Sequence, residues 1–158
     1  MCGGVCVPLC KSHPASSLSY YMEDSGANLV MVTPDLQPTV SDLGVEVIVL
    51  EDNDTHSNND HDLETPEASS AAMILYTSGT TGPPKGVILS HTNLHHQVTC
   101  LLEAWEWSAR DKILHVLPLH HTHGIVNCLL CPLTVGATVH MLPSFCPQTV
   151  WNILTQVC

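Results

Sequence analysis

Eleven residues, Tyr76-Thr77-Ser78-Gly79-Thr80-Thr81-Gly82-Pro83-Pro84-Lys85-Gly86, constrain this chain more than any other stretch. The run Ala72-Met73-Ile74-Leu75 ahead of them is apolar enough for a buried strand, and Val87-Ile88-Leu89-Ser90 behind them reads as a second one. The ten residues from Thr77 hold four hydroxyl side chains, three glycines and a single lysine. Glycines let backbone N–H groups turn toward an anion and let it come close, because no Cβ stands in the way. Hydroxyls donate further hydrogen bonds, and a lysine brings a mobile point charge to phosphate oxygens. The alternative is an ordinary strand connection, since Ser, Thr and Gly also mark turns. The string is not the common P-loop, which needs Gly-Lys-Ser/Thr opening a helix. Here the lysine precedes its glycine, follows two prolines, and leads into a β-rich run.

The remaining sequence supplies an α/β frame for this loop. Residues 3–9 read as a strand, and Pro14 followed by residues 15–24 as a helix closed by Ser25-Gly26. Residues 28–32 and 45–50 read as strands, an alternation that favours a mostly parallel sheet flanked by helices. Ser90 can cap a helix over residues 91–107, with Leu94, Val98, Leu101, Leu102 and Trp105 at helical spacing. A turn at Arg110-Asp111-Lys112 leads to a strand over residues 113–117 that Pro118 ends. Residues 124–133 then read as a helix, 137–142 as a strand and 147–157 as a helix. Residues 51–70 differ in character: acidic, polar and nearly free of apolar side chains, they read as a solvated surface loop. A calcium loop is the alternative there, but the EF-hand glycine and terminal glutamate are not in place.

Charge narrows the partners. Four Lys plus Arg against fifteen Asp plus Glu give a net charge of −11, which argues against nucleic acid or an anionic membrane surface. No apolar run approaches the length of a membrane span. A chain this acidic must concentrate its few cations where an anion binds, and Lys85 sits in the glycine-rich loop. The eight cysteines fall short of a disulfide scaffold. Cys128-x-x-Cys131, downstream of His120, His121 and His123, has the ingredients of a zinc site. The reading preferred over it is small apolar residues on a buried helix, with no metal expected. The Asn53-Asp54-Thr55 sequon carries little weight with no signal peptide in view.

A second chemical cluster is Leu117-Pro118-Leu119-His120-His121-Thr122-His123-Gly124, which leaves a strand and enters a helix. In an open parallel sheet ligands collect at the carboxyl ends of strands, where such loops lie. A lone histidine there is more often structural, but three in four residues favour a functional reading.

Together these segments resemble the adenylate-forming (AMP-binding) acyl-CoA synthetase superfamily. The whole loop string matches its phosphate-binding signature. Residues 74–85, 113–127 and Val135-Gly136-Ala137-Thr138 are similar to the malonyl-CoA synthetase branch, as are Val7-Pro8-Leu9, His13-Pro14-Ala15 and Glu23-Asp24-Ser25-Gly26. The resemblance implies ATP with Mg2+, coenzyme A as a substrate, and a small carboxylate, malonate or methylmalonate, joined as a thioester. Fatty acids are the alternative acyl group. It assigns Thr77, Ser78, Gly79, Thr80, Thr81, Gly82, Lys85 and Gly86 to the ATP phosphates. His121 falls on the position that meets the carboxylate and α-phosphate, and His123 with Gly124 on the wall of the acyl pocket. Lys85 and His121 are thereby the candidate catalytic residues. It also implies a mitochondrial location, with the cytoplasm as alternative.

Members of that superfamily are several times longer, and no Tyr-Gly or Gly-Lys pair of their downstream motifs occurs here. Residues 1–158 are therefore expected to be part of the large N-terminal domain, with 51–70 as acidic loop and 71–158 as phosphate-loop and acyl-pocket segment, the C-terminal domain being absent. Two rivals are a truncated, non-catalytic nucleotide-binding product and a metal-binding module.

Overall fold

The computed structural model describes residues 3–51, 65–77 and 82–156. The chain divides into two compact units, residues 1–89 and 90–158.

In the first unit, helix α1 (Ala15–Ser25) starts after extended Pro14, whose ring already holds φ near the helical value. It ends at Gly26, where φ is +66°. Ala27 N–H donates to Met22 at 3.1 Å and Gly26 N–H to Glu23 at 3.3 Å, a closure that needs a left-handed residue, the conformation glycine adopts most readily. Strands β1 (Leu29–Val32) and β2 (Glu46–Val49) pair in parallel, Leu29 opposite Glu46 and Val32 opposite Val49. A parallel pair needs a crossover. That crossover contains a short 3-10 turn (Pro34–Leu36) and α2 (Gln37–Val40), elements too short for a periodic sequence signal. Leu18, Tyr21 and Val40 are buried, with Leu9, Tyr20, Val30, Val32, Leu43, Val47 and Tyr76 packed around them. Strand β3 (Ala71–Thr77) pairs with β4 (Lys85–Ser90). The strand expected over residues 3–9 is reduced to one parallel bridge from Cys6 to Met73, closed by two backbone hydrogen bonds of 3.0 and 2.9 Å.

In the second unit, Ser90 caps α3 (His91–Ala104). Its hydroxyl accepts from Asn93 N–H at 3.1 Å, and the Asn93 side chain accepts from Ser90 N–H at 3.0 Å. Helix α3 stops before the expected residue 107. Glu106 adopts φ +53°, and Trp107 N–H reaches back to Leu102 at 3.1 Å, the same closure as in α1 without a glycine to announce it. Trp105, expected on the buried face, is 52% exposed, and Trp107 packs instead against the core of Val98, Val126 and Cys131. Strands β5 (Lys112–His115) and β6 (Thr138–Met141) pair in parallel, Lys112 opposite Thr138 and His115 opposite Met141.

The crossover between β5 and β6 departs from the expected single α-helix. Residues His123–Leu130 form a π-helix, followed by α4 (Cys131–Thr134). The cause lies in Pro132, which can give no N–H to Cys128 four residues back and would press its ring on that carbonyl. A wider turn relieves this, and Cys131 N–H bonds to Val126, five residues back. The segment is the deepest part of the unit, with Val126, Cys131 and Pro132 fully buried. Helix α5 (Pro147–Gln156) follows.

Ser90→Ala removes one half of the reciprocal cap and is expected to lower stability by about 1 kcal/mol. Ser90→Thr, which keeps the hydroxyl, is expected to retain most of it. Urea unfolding of the three proteins makes the comparison, and an unchanged midpoint for Ser90→Ala would refute it.

Candidate functional site

The glycine-rich loop leaves the end of β3 and returns at the start of β4. Four of its expected phosphate-binding residues, Ser78, Gly79, Thr80 and Thr81, lie outside the described residues. The stem is described on both sides. Thr77 is exposed, and its hydroxyl donates to the Lys85 carbonyl at 3.4 Å, joining the two arms. Lys85 is exposed as the first residue of β4, and no ion pair engages it among the described residues. Gly82 faces open space, so packing alone does not demand a glycine there. Gly86 is different. A Cβ on it would stand 2.9 Å from Ile74 Cγ2 and 3.3 Å from Tyr76 Cζ, so the glycine makes room for its neighbours on β3.

The stem rests on α1. The Tyr76 hydroxyl donates to Asp24 Oδ2 at 2.7 Å, and the Tyr20 hydroxyl donates to the Pro84 carbonyl at 2.9 Å. The Tyr76 ring lies 4.4 Å, centroid to centroid, from buried Tyr21 and 6.3 Å from Tyr20. Burial, and then the hydrogen bond and charge of Asp24, push the Tyr76 phenol up to about 12 from its ordinary 10.0. None of Tyr20, Asp24 or Tyr76 stood among the site residues expected from sequence. The only sequence signal is the one-turn spacing of Tyr20 and Asp24 on α1, which gives them a common face.

In the second unit the histidine loop leaves the carboxyl end of β5, which pairs in parallel with β6. His115 closes the strand, 1% exposed, and its Nδ1 accepts Leu117 N–H at 3.3 Å. That bond fixes the first turn of the loop. The rings of His120 and His121 lie 4.2 Å apart at 53°, and the side chains of His121 and His123 are exposed. Gly124 is buried, and a Cβ there would run into the Pro118 carbonyl oxygen, so only glycine lets the π-helix begin so close to the loop that feeds it. Arg110 and Lys112 are exposed at the opposite end of β5.

Cys128 and Cys131 are buried free thiols, and burial pushes both up, which makes thiolate chemistry or metal ligation unfavourable. No group of three or more His, Cys, Asp or Glu able to hold a metal ion occurs among the described residues. No helix among them is long and apolar enough to cross a membrane.

The family model described as AMP-binding enzyme matches residues 1–157, and the chain belongs to that family. It is 47% identical over 167 residues to the mitochondrial malonate–CoA ligase ACSF3 of Xenopus laevis, which covers 96% of this chain and 28% of that protein. To the malonate–CoA ligase of Arabidopsis thaliana it is 37% identical over 95% of its length and 27% of that protein. Among solved structures, ATP-bound MatB from Rhodopseudomonas palustris matches with a TM-score of 0.85 and 28% identity, over 98% of this chain and 33% of that one. A malonyl-CoA ligase with methylmalonyl-CoA and AMP bound matches with a TM-score of 0.82 and 31% identity, over 97% of this chain and 33% of that one. The α/β fold expected from the sequence is therefore that of the large domain of adenylate-forming enzymes. The chain spans about a quarter of the length of the curated relatives it matches.

The hold of Asp24 on Tyr76 has a consequence in alkali. The folded state keeps this phenol protonated beyond its ordinary 10.0, so the stability it contributes is complete below pH 10 and falls as pH rises toward about 12. Burial and the nearby Asp24 raise Tyr20 as well, so phenolate absorbance is expected to show more than one late-titrating tyrosine, of which Tyr76→Phe removes one. Tyr76→Phe is also expected to flatten the loss of denaturant stability across that interval, and a loss as steep in the variant would count against the assignment.

Proposed function

We propose that this chain is the phosphate-loop and acyl-pocket part of a ligase that activates a small dicarboxylate, malonate or methylmalonate, as its coenzyme A thioester. The observation that carries the reading is the 47% identity, across nearly the whole chain, to proteins named as malonate–CoA ligases. The chain also retains the full loop string and the histidine loop at the end of β5.

In the first step a carboxylate oxygen attacks the α-phosphorus of ATP, forming the acyl-adenylate and releasing pyrophosphate. The coenzyme A sulfur then attacks the acyl carbon, and AMP leaves. Little covalent chemistry falls to the protein in the first step, so its work is alignment and charge neutralisation. Lys85, with Thr77, Ser78, Thr80 and Thr81, holds the β- and γ-phosphates of the leaving group. His121 orients the carboxylate against the α-phosphate. In this reading Mg2+ arrives on the nucleotide's phosphates. The word mitochondrial in the names of the Xenopus and human relatives supports the same compartment here.

In the complete protein, Lys85→Ala is expected to remove a charge-assisted bond worth about 1.5–3 kcal/mol. That is roughly a ten- to hundredfold loss of carboxylate-dependent ATP–pyrophosphate exchange. Exchange at the unsubstituted rate would remove the loop from the mechanism.

Substrate choice is tested separately. A buried distal carboxylate needs a cation, since burying that charge alone is prohibitive. Arg110 and Lys112 stand at the wrong end of β5 to meet a group held by the histidine loop. The reading assigns the cation to the part of the longer relatives that this chain does not span, rather than to Lys11, Arg110 or Lys112, and His123 to a polar pocket wall. The complete protein is expected to prefer malonate to octanoate in kcat/KM, and His123→Phe to narrow that preference. Equal or better turnover of octanoate by the unsubstituted protein would replace the dicarboxylate reading with that of a fatty-acid ligase.

A further inference from the structure

We propose that α1 is a brace for the phosphate-loop stem, and that Tyr20 and Asp24 on it are positioning residues for Lys85. The inference rests on the reading of Lys85 as a phosphate ligand and extends it to residues outside the loop.

The two bonds from α1 reach both arms of the stem. Asp24 takes the Tyr76 hydroxyl at 2.7 Å, on the arm leaving β3, and Tyr20 gives its hydroxyl to the Pro84 carbonyl at 2.9 Å, on the arm entering β4. Tyr76 immediately precedes Thr77, and Pro84 immediately precedes Lys85. Each bond therefore acts one residue from a side chain assigned to the phosphates. The Pro84 carbonyl belongs to the same planar peptide as the Lys85 nitrogen, so holding one fixes the direction in which the other's Cα is carried. Pro83 and Pro84 stiffen that arm by locking φ, which makes a single anchored carbonyl effective.

The base of the brace is rigid. Tyr20 and Asp24 lie one helical turn apart on a helix closed by Gly26, and the neighbouring Tyr21 is 5% exposed in the core of the unit. Gly86 completes the arrangement, because a Cβ there would clash with Ile74 and press on the ring of Tyr76. A lysine has four rotatable carbons and no fixed geometry of its own. Immobilising its backbone root is thus the means this structure offers of limiting where its ammonium can go, and that benefit is felt by the group it binds.

The test uses the complete protein and malonate-dependent ATP–pyrophosphate exchange. Tyr20→Phe is expected to lower kcat/KM for MgATP about threefold to tenfold, the range for loss of one neutral hydrogen bond, and Asp24→Ala, which removes a charged acceptor, by at least as much, with KM for malonate unchanged in both. Asp24→Asn, which keeps an oxygen acceptor for Tyr76, is expected to recover most of the loss. The decisive measurement is a double-mutant cycle. If Tyr20 acts through Lys85, Tyr20→Phe in a Lys85→Ala background is expected to add less than about twofold, whereas an independent structural effect would multiply in full. Full multiplication in that background, unchanged MgATP parameters in the single variants, or an equal change in KM for malonate would each overturn the brace. No exchange by the unsubstituted protein would overturn the ligase reading and the brace with it. An active unsubstituted protein with indifferent Tyr20→Phe and Asp24→Ala variants would overturn the brace alone.

Discussion

Parallel strand pairing is the constraint on which this structure hangs. Neighbouring parallel strands cannot be joined by a tight turn, so the chain must leave each strand at its carboxyl end and travel back. That obligation produces the crossover through α2 between β1 and β2, and the longer one through the π-helix and α4 between β5 and β6. It also decides where chemistry can be placed. The histidine loop occupies the outgoing half of the second crossover, and the phosphate loop leaves the carboxyl end of β3, the strand bridged in parallel by Cys6. In each unit the residues assigned to substrate thus stand on connections or on the strand ends that bound them, as Thr77 and Lys85 do, while the strands beneath supply rigidity.

Glycine serves three different ends along these connections. Gly26 supplies a left-handed backbone that lets α1 stop, Gly86 leaves space for Tyr76, and Gly124 permits backbone to approach the carbonyl of Pro118. A motif reading treats the loop glycines as one set with one purpose. The structure separates Gly82, which faces open space, from Gly86, whose absent side chain is required by protein packing whether or not an anion is present.

The elements themselves were largely legible in the sequence, because they follow local rules. Pro14 and Gly26 mark the ends of α1, Ser90 the start of α3, and short apolar runs the strands. The structure departs from those rules where a non-local or rarer arrangement wins. Glu106 takes a left-handed backbone usually given to glycine, so nothing local marks the end of α3, and Trp105, at helical spacing with the buried residues, is exposed. Pro132 inside an apolar run hinted at an interrupted helix, but periodicity cannot tell a π turn from an α turn. Of the site, the loop and histidine strings were legible as compositions with a chemical purpose. The α1 contacts were not, because the hydrogen bonds of Tyr20 and Tyr76 cross 64 and 52 residues of sequence, and no spacing rule connects positions so far apart.

Those same separations bear on how the protein is made. Loop-closing entropy must be lost before contacts so distant in sequence can form, which places them late in assembly. During synthesis, α1 leaves the ribosome well before β3 and β4, with the Tyr20 hydroxyl and Asp24 carboxylate still hydrated. The stem can acquire its native geometry only after the chain has emerged past Lys85, and a nascent chain halted earlier holds the α1 segment with nothing to grip.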